Sequence, residues 1–313
     1  GLSVTEQGIS AAEVVWAGPR RTVLHTAVLP FSADARLDEP ERLGRELRKT
    51  LRQNGITSSR CVVGLAASWT AAREESLPAA DAESLRGALS IAAEREFASG
   101  AQELAVDYLD WSSGKGTSAL LVAAPRRVVE QLQTMAKSAG RTLTAVTSSA
   151  VAMALATRGA ISSAGRLVLC LLPGGVELAV QSPGGVRLLR HLPVRFDRAG
   201  VQTSELVGEL RRILALAPAE TGAGAARELI LWNVAGLDAA SLDSLCAPLG
   251  LSARRCALET DLSIAGGSAS GMDRFAQAVA LASGAGEPAA IDFVHSRLAP
   301  PVKTWRTRRT LWA

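Results

Sequence analysis

Residues 167–194, "LVLCLLPGGVELAVQSPGGVRLLRHLPV", begin with an apolar run, pass through a glycine turn and continue as a hairpin. The apolar run is typical of a buried strand, and Gly174 and Gly175 supply the turn that follows it. Proteins often hold a phosphate at such a turn, because backbone N–H groups can close around it. No carboxylate stands at the end of this strand, where a metal-bound nucleotide would require one. The pattern therefore favours a structural hairpin over a phosphate-binding loop.

This order of elements occurs twice along the chain. Residues 1–54 contain a strand, a hairpin ending in "LPF" and a helix, and residues 166–216 contain a strand, a hairpin ending in "LPV" and a helix. The two units begin about half a chain length apart, which is the signature of an internal repeat. A unit duplicated at this spacing predicts two related α/β lobes that face a central cleft, where small ligands often bind.

The composition indicates a large folded protein. Of the 313 residues, 48% are hydrophobic and 20% are charged, which supplies enough apolar surface for two lobes and argues against disorder. The net charge of +4 is small, and basic residues are not interleaved with aromatic ones, which argues against nucleic acid as a partner. The four cysteines are widely spaced without a Cys-x-x-Cys motif, so the sequence predicts neither a zinc site nor an oxidising compartment.

The C-terminal segment "VKTWRTRRTLWA", residues 302–313, carries four basic residues and no acid. A basic cluster that ends in Leu311 and Trp312 is typical of the cytoplasmic edge of a membrane helix. Within the sequence itself there is no run of about 18 apolar residues. We therefore expect a membrane segment beyond residue 313; the alternative is a solvated basic tail.

Two lobes that each open with a strand, a turn and a hairpin resemble the actin, sugar-kinase and heat-shock chaperone ATPases, which share a duplicated ribonuclease H-like α/β fold. Within that superfamily the chain resembles PilM of type IV pili and the cytoplasmic domain of GspL in type II secretion. The resemblance rests on the element order, "VLPF" before a helix, "DYLDW…LLVAAPRRVVEQL" and the late helix "FAQAVALASG". It implies a first lobe at 1–160 with a small subdomain inserted at about 58–124, a second lobe at 161–287, and an extended docking segment with a basic juxtamembrane flank at 288–313.

The motif "IDFVHSR" lies just before the basic segment. It is similar to the "INLLPxR" peptide that opens PilN, the membrane partner that docks onto PilM in systems where the two are separate chains. Ile291, Asp292, Phe293 and Arg297 match that peptide in place or in kind, while His295 replaces its proline. The resemblance implies a fused arrangement in which this segment docks as a strand on its own chain, as in GspL. A generic extended linker is the alternative.

Members of this superfamily hold Mg-ATP in three loops, the first of which carries an aspartate, a glycine and a lysine. In this sequence Ser3 stands at the position of the aspartate, Thr5 at that of the glycine and Ser10 at that of the lysine. Glu6 adds a negative charge where the phosphates would lie. The first loop therefore lacks the groups that would organise Mg²⁺ and neutralise phosphate.

The second and third loops depart from the superfamily pattern in the same way. Cys170 occupies the place of the second aspartate, and Gly174 and Gly175 follow it later than the pattern requires. The third loop, "WNVAGLD", keeps only Gly236 of a glycine pair. An ion pair about 4 Å apart contributes about 4 kcal/mol at an effective dielectric of about 20, so losing several such groups predicts a degenerate site without hydrolysis.

The resemblance implies a non-catalytic scaffold at the cytoplasmic face of the bacterial inner membrane, in the assembly platform of a type IV pilus or type II secretion system. Its implied partners are PilN/PilO- or GspM-like inner-membrane proteins, with a hexameric assembly ATPase and a homodimer left open. No catalytic residue, metal or cofactor is expected in that case. One other hypothesis is a nucleotide switch that still binds ATP and Mg²⁺. Another is a filament-forming actin homologue of cell division.

Overall fold

The structure of the chain is a computed structural model. It describes residues 1–17, 20–32, 36–97, 103–113, 116–157, 165–194, 196–197, 200–201, 203–216, 228–265, 271–284 and 289–299. The predicted basic flank at 302–313 lies outside the described residues.

The elements follow the alternating α/β order that the sequence predicts. In the first half of the chain they are β1 (Leu2–Thr5), β2 (Gly8–Ala17), β3 (Arg20–Pro30), α1 (Pro40–Gln53), β4 (Arg60–Leu65), β5 (Ala71–Leu77), α2 (Ala82–Glu96), β6 (Leu104–Ser113), β7 (Gly116–Pro125), α3 (Arg126–Ser138), β8 (Thr142–Ser148) and α4 (Ser149–Ala156). In the second half they are β9 (Arg166–Leu172), β10 (Gly175–Ser182), β11 (Gly185–Leu192), β12 (Phe196–Asp197), β13 (Gly200–Val201), α5 (Thr203–Leu216), β14 (Glu228–Asn233), α6 (Ala239–Cys246), β15 (Ser252–Arg255), α7 (Leu258–Asp261), β16 (Ile264–Ala265) and α8 (Ala276–Ser283). Short 3₁₀ helices lie at Ala67–Trp69, Ala247–Leu249 and Met272–Phe275.

Two large sheets share one strand order. The first sheet runs β16–β3–β2–β1–β4–β8 and the second runs β11–β10–β9–β14–β15. In each sheet the first three strands form an antiparallel meander, and the fourth and fifth join in parallel. Apart from the added edge strand β16, the order third–second–first–fourth–fifth occurs twice. The predicted duplication of an α/β unit is therefore confirmed, and we call the two units the first and second lobes.

A separate three-stranded sheet, β5–β7–β6, lies between β4 and β8 in sequence. Helix α2 covers one of its faces and shares an apolar cluster with it. The predicted insert begins near residue 58, whereas residues 60–65 form β4 and pair with β1 in the first sheet. The apolar run "CVVGL" explains this difference, because a strand buried on both faces belongs inside a parallel sheet. The lobe boundaries at residues 160 and 287 remain predictions.

Local sequence signals place two of the helices. Leu43, Leu47 and Leu51 are buried along one stripe of α1, as their four-residue spacing predicts. Gly55 follows that helix in the left-handed region at φ +76°, where a residue without Cβ carries no steric penalty. Asp81 caps α2 by accepting hydrogen bonds from two backbone N–H groups in its first turn. These three features follow from the local sequence.

Replacing Gly44 by alanine is expected to destabilise the protein by about 1–3 kcal/mol. A Cβ on Gly44 would lie 2.5 Å from the Met135 carbonyl oxygen and 2.6 Å from Ser138 Cβ, so α1 would have to move away from α3. Gly87 in α2 is the matched control, because a Cβ there meets nothing within 4 Å. Its alanine variant should be stabilised by about 0.5–1 kcal/mol. Urea unfolding measures both variants, and equal effects of the two would contradict the close packing.

Helix α8 brings a polar side chain into the interior. All eight residues from Ala276 to Ser283 are buried, and six of them are alanine, valine or leucine. The helix packs against β1, β2 and β4 of the first sheet and against α4. Gln277 is the long polar side chain within it, and a buried amide requires hydrogen-bond partners. Its partners lie in both lobes.

Candidate functional site

A chain of buried hydrogen bonds crosses the cleft between the two lobes. Ser3 on β1 donates from Oγ to Gln277 Oε1 at 2.8 Å, and Gln277 Nε2 donates to Glu177 Oε2 at 2.6 Å. The other carboxylate oxygen, Glu177 Oε1, accepts the backbone N–H of Ala67 at 2.6 Å. Ala67 follows β4 of the first lobe, whereas Glu177 lies on β10 of the second. One carboxylate therefore connects the two lobes directly.

The three side chains of this hydrogen-bond network are buried. Ser3 is 2% exposed, Glu177 is 1% exposed and Gln277 is 3% exposed. Burial raises the pKa of Glu177 to about 7, against the opposing effect of the Ala67 N–H and the Gln277 amide. The carboxylate therefore changes charge near neutral pH while it holds groups from both lobes.

Cys170 lies beside Glu177 on the neighbouring strand β9, and the two are cross-strand partners. Its thiol is buried. Burial raises the pKa of Cys170 well above its usual value, the Glu177 charge raises it further, and a hydrogen bond with Gln277 opposes both. The thiol therefore stays protonated at neutral pH, so Cys170 is a poor nucleophile.

The turn between β1 and β2, the first turn, lies next to the turn between β9 and β10, the second turn. A Cβ built on Gly174 would lie 3.4 Å from Gln7 Nε2, so the Gln7 side chain of the first turn reaches the second. Thr5 closes the first turn, because its Oγ1 accepts the Gln7 N–H and donates to the Gly8 carbonyl oxygen, both at 3.3 Å. The predicted loop residues Thr5 and Gly174 thus belong to two turns that are in contact.

A charge from the first turn also acts on the second hairpin. Burial lowers the pKa of His191 on β11, and the Glu6 carboxylate opposes this effect. His191 in turn sits against Gly175, whose Cβ would lie 2.5 Å from His191 Cε1. Gly175 is therefore needed for this close approach of β11.

The second lobe also contacts the three-stranded sheet. Arg187 on β11 donates from Nε to Glu74 Oε1 on β5 at 3.0 Å, and its guanidinium lies 5.6 Å from the centre of the Trp111 ring. A Cβ on Gly184 would lie 2.8 Å from Trp111 Cδ1, so the second turn of the hairpin abuts β6. These contacts connect the second lobe to the three-stranded sheet as well as to the first lobe.

The structure brings only some of the predicted cleft residues together. Ser3 and Cys170 both contact Gln277, and Gly174 lies beside the first turn. Ser10 is half-buried on β2, opposite Ser3 in the ladder. Gly236 has φ +75° in the turn after β14, and a Cβ there would meet nothing within 4 Å.

Residues 289–299, which we call the docked segment, pack against the first lobe. Ile291 is fully buried and Phe293 is 4% exposed, and both belong to the main apolar core. The Phe293 N–H donates to the Val146 carbonyl oxygen on β8 at 2.8 Å. The docked segment thus adds apolar side chains to the core of the first lobe.

The prediction that this segment forms a strand is wrong, because its backbone is irregular. Asp292 explains the irregularity: its Oδ1 accepts the Val146 N–H at 3.3 Å and the Val294 N–H at 2.9 Å. In a β-ladder a backbone carbonyl oxygen would take that Val146 N–H. The side chain therefore replaces the ladder.

A second anchor for the docked segment is Asp107 on β6. Its carboxylate accepts the Asp292 N–H at 2.8 Å, and the backbone N–H and Nε of Arg297 at 3.2 Å each. The Arg297 guanidinium also lies 4.0 Å from the centre of the Tyr108 ring. Burial raises the pKa of Asp107, although the Asp292 N–H and the Arg297 charge oppose the rise. Asp107 therefore recognises both ends of the motif.

Sequence reasoning missed three residues of these networks. Glu177 and Asp107 are acids with apolar neighbours on both sides, in "GVELAV" and "LAVDYL", and Gln277 is a single amide within "FAQAVALA". A polar residue on a fully buried element requires a partner, so each interruption is a signal that could have been used. The identity of the partners depends on tertiary contacts over 100 residues or more away in the chain.

The described part of the chain holds no cluster of three metal-ligating side chains. Among its helices, none has the length and apolar character that crossing a bilayer requires.

Comparison with family models and with curated proteins gave no match. Among solved structures, a PilM-PilN type IV pilus biogenesis complex matches with a TM-score of 0.71 and 16% identity, over 92% of this chain and 98% of that chain. The cytoplasmic domain of EpsL, an inner-membrane component of the type II secretion system of Vibrio cholerae, matches with a TM-score of 0.48 and 14% identity, over 74% and 80%. A Bacteroides thetaiotaomicron protein with an actin-like ATPase fold matches with a TM-score of 0.49 and 9% identity, over 82% and 89%.

The chain has the actin-like ATPase fold, as the sequence predicts. Because the last two TM-scores lie below 0.5, this conclusion rests on the likeness to the pilus complex. The predicted resemblance to PilM is confirmed at the level of the fold.

Proposed function

We propose that this chain is a non-catalytic scaffold of a type IV pilus or type II secretion assembly platform, at the cytoplasmic face of the bacterial inner membrane. It holds partner proteins by its surfaces, and its cleft performs no phosphoryl transfer. The basic residues of 302–313 lead, in this proposal, to a membrane segment further along the chain. The partners are PilN/PilO- or GspM-like inner-membrane proteins, together with a hexameric assembly ATPase.

The observation that carries the proposal is the connection of the two lobes through Glu177. Ser3, which the resemblance places in the Mg-ATP cleft, begins a hydrogen-bonded chain that runs through Gln277 to that carboxylate. The Gln7 side chain reaches from the first turn to Gly174 in the second, and Glu6 adds a negative charge beside them. These residues do not fit a magnesium triphosphate. The Glu177 carboxylate is buried and both its oxygens already accept hydrogen bonds, from Ala67 and Gln277. None of these side chains supplies a cation for the phosphates.

The docked segment supports the assembly part of the proposal. Its motif resembles the peptide by which PilN opens, and it is held by Val146 and Asp107 of the same chain. A chain that carries both the receptor and the peptide needs no separate PilN-like peptide at this place. In this proposal the docked segment, which packs into the first lobe, also connects the protein to its membrane segment.

Thermal unfolding in the presence of Mg-ATP tests the proposal. A ligand at 100 times its dissociation constant stabilises a protein by about 2.7 kcal/mol, which is easily measured. We expect no change in Tm with Mg-ATP or Mg-ADP up to millimolar concentration. A concentration-dependent rise that requires Mg²⁺ would favour the nucleotide-switch hypothesis and overturn the scaffold proposal.

A further inference from the structure

We propose that Arg45, Arg48 and Arg52 of α1, which we call the arginine stripe, form a docking surface for an acidic segment of a protein partner. The three residues are spaced by three and four positions, so they lie along one face of the helix. All three are exposed, while the leucines of the opposite face are buried in the first lobe. The stripe thus presents charge, and the packing of the helix does not depend on it.

The charges of the arginine stripe are not neutralised within the described residues. The neighbouring bases of α1 have acidic partners: Arg42 pairs with Glu39 at 3.3 Å, and Lys49 pairs with Glu46 at 3.9 Å. None of the stripe arginines forms an ion pair in the described part of the chain. Three unpaired cations on adjacent helical turns produce a local positive field that attracts carboxylates.

Helix α3 extends this positive surface. The close packing at Gly44 holds α3 beside α1, and the Arg48 guanidinium lies 3.8 Å from the Cβ position of Gly140, just past the end of α3. Lys137 is exposed on the last turn of α3. Cations near helix C-termini interact favourably with the helix dipole, which accounts for Lys137 and Arg52. It does not account for Arg45, in the middle of α1.

The chemistry favours an acidic protein segment over a lipid surface. Helices that lie on membranes present large apolar side chains together with their basic ones. The exposed large apolar side chains in the described part of the chain belong to other elements: Val15, Trp16, Leu24, Val28, Ile91 and Leu155. Arginine has a planar fork that binds carboxylates in a bidentate manner, which lysine lacks. A helix with acidic residues one turn apart would match the stripe in spacing and charge.

The test is a binding titration with two synthetic peptides. The first is an alanine-based helical peptide with glutamates one turn apart; the second has the same composition with the glutamates scrambled. The variant R45Q/R48Q/R52Q removes the arginine stripe. The control R86Q/R211Q/R274Q removes three exposed arginines elsewhere, so both variants lower the net charge equally. Circular dichroism verifies that both are folded, and vesicles containing phosphatidylglycerol serve as the lipid probe.

We expect the wild type and the control variant to bind the aligned peptide equally well, and the stripe variant to bind it about tenfold more weakly. The scrambled peptide should bind more weakly to the wild type than the aligned one. Equal binding by stripe and control variants would overturn the proposal, as would equal binding of the two peptides. Vesicle binding that depends on the stripe, without peptide binding, would assign the surface to lipid. The stripe lies outside both the cleft and the docked segment. Failure of the docking proposal would therefore leave the scaffold proposal intact.

Discussion

Replacing Phe293 by alanine is expected to lower the free energy of unfolding by about 3–5 kcal/mol, the range for truncating a buried phenylalanine. Phe293 is 4% exposed and shares its apolar cluster with the core of the first lobe. The truncation leaves a cavity in this cluster. The backbone hydrogen bond from the Phe293 N–H to Val146 remains, but it does not replace the lost apolar contacts. Urea unfolding followed by circular dichroism measures the loss.

The matched control for this experiment is His295→Ala, two residues along the same segment. The His295 side chain is 68% exposed and contacts Asp292 Oδ2 through Nδ1 at 2.8 Å. We expect it to change the free energy of unfolding by less than about 1 kcal/mol, as for other exposed pairs. If Phe293→Ala were as mild as His295→Ala, the docked segment would not be part of the core.

The second large effect is expected at Glu177. The variant Glu177→Ala leaves the Ala67 N–H and the Gln277 amide without their acceptor, at a cost of about 1–3 kcal/mol for each buried group. Glu177→Gln should lose less, because its amide oxygen can accept the Ala67 N–H while its NH₂ group donates to a reoriented Gln277. Urea unfolding of both variants at pH 5 measures this difference. An alanine variant as stable as wild type would contradict the interlobe connection.

The same carboxylate should make stability depend on pH. Its pKa is raised from 4.5 in the unfolded chain to about 7 in the folded protein, so the folded state binds the extra proton between these values. The resulting stabilisation is fully present below pH 4.5 and is lost as the pH rises through 7. Its size is about 3 kcal/mol, from 1.36 kcal/mol for each pKa unit.

Comparing the wild type with Glu177→Gln isolates this contribution, because other buried acids titrate equally in both proteins. Between pH 5 and pH 8 the wild type should lose more free energy of unfolding than the glutamine variant. Parallel pH profiles of the two proteins would mean that Glu177 does not titrate in this range.

The sequence predicts the fold well because its signals are local or periodic. The four-residue leucine spacing on α1, the Asp81 cap and the two "LP" hairpins each depend on residues close together in the chain. Repetition of the same unit then fixes the two-sheet architecture. Short edge strands such as β15 and β16 were missed, because two to four residues carry too little periodicity to be recognised.

The candidate site was predicted only in part. The sequence alone indicates that Ser3 and Cys170 replace the two loop aspartates, because each position can be located from the strand that contains it. What fills the cleft is not visible, because Glu177 and Gln277 meet across 100 positions of sequence. The irregular backbone of the docked segment was missed for a similar reason: Asp292 replaces the ladder through a contact with Val146 on a distant strand.

The central claim is that the two lobes are held together without a nucleotide. Its most direct test is the distance between the lobes, measured by pulsed electron paramagnetic resonance between two spin labels. Cys246 on α6 is half-buried and offers a label site in the second lobe, and Gln53→Cys at the end of α1 offers one in the first. Cys61, Cys170 and Cys256 are buried, so they should react with the label more slowly than Cys246. We predict one narrow distance that Mg-ATP does not change, and a broader distribution in Glu177→Ala. A distance that shifts or narrows in the wild type when Mg-ATP is added would contradict the account.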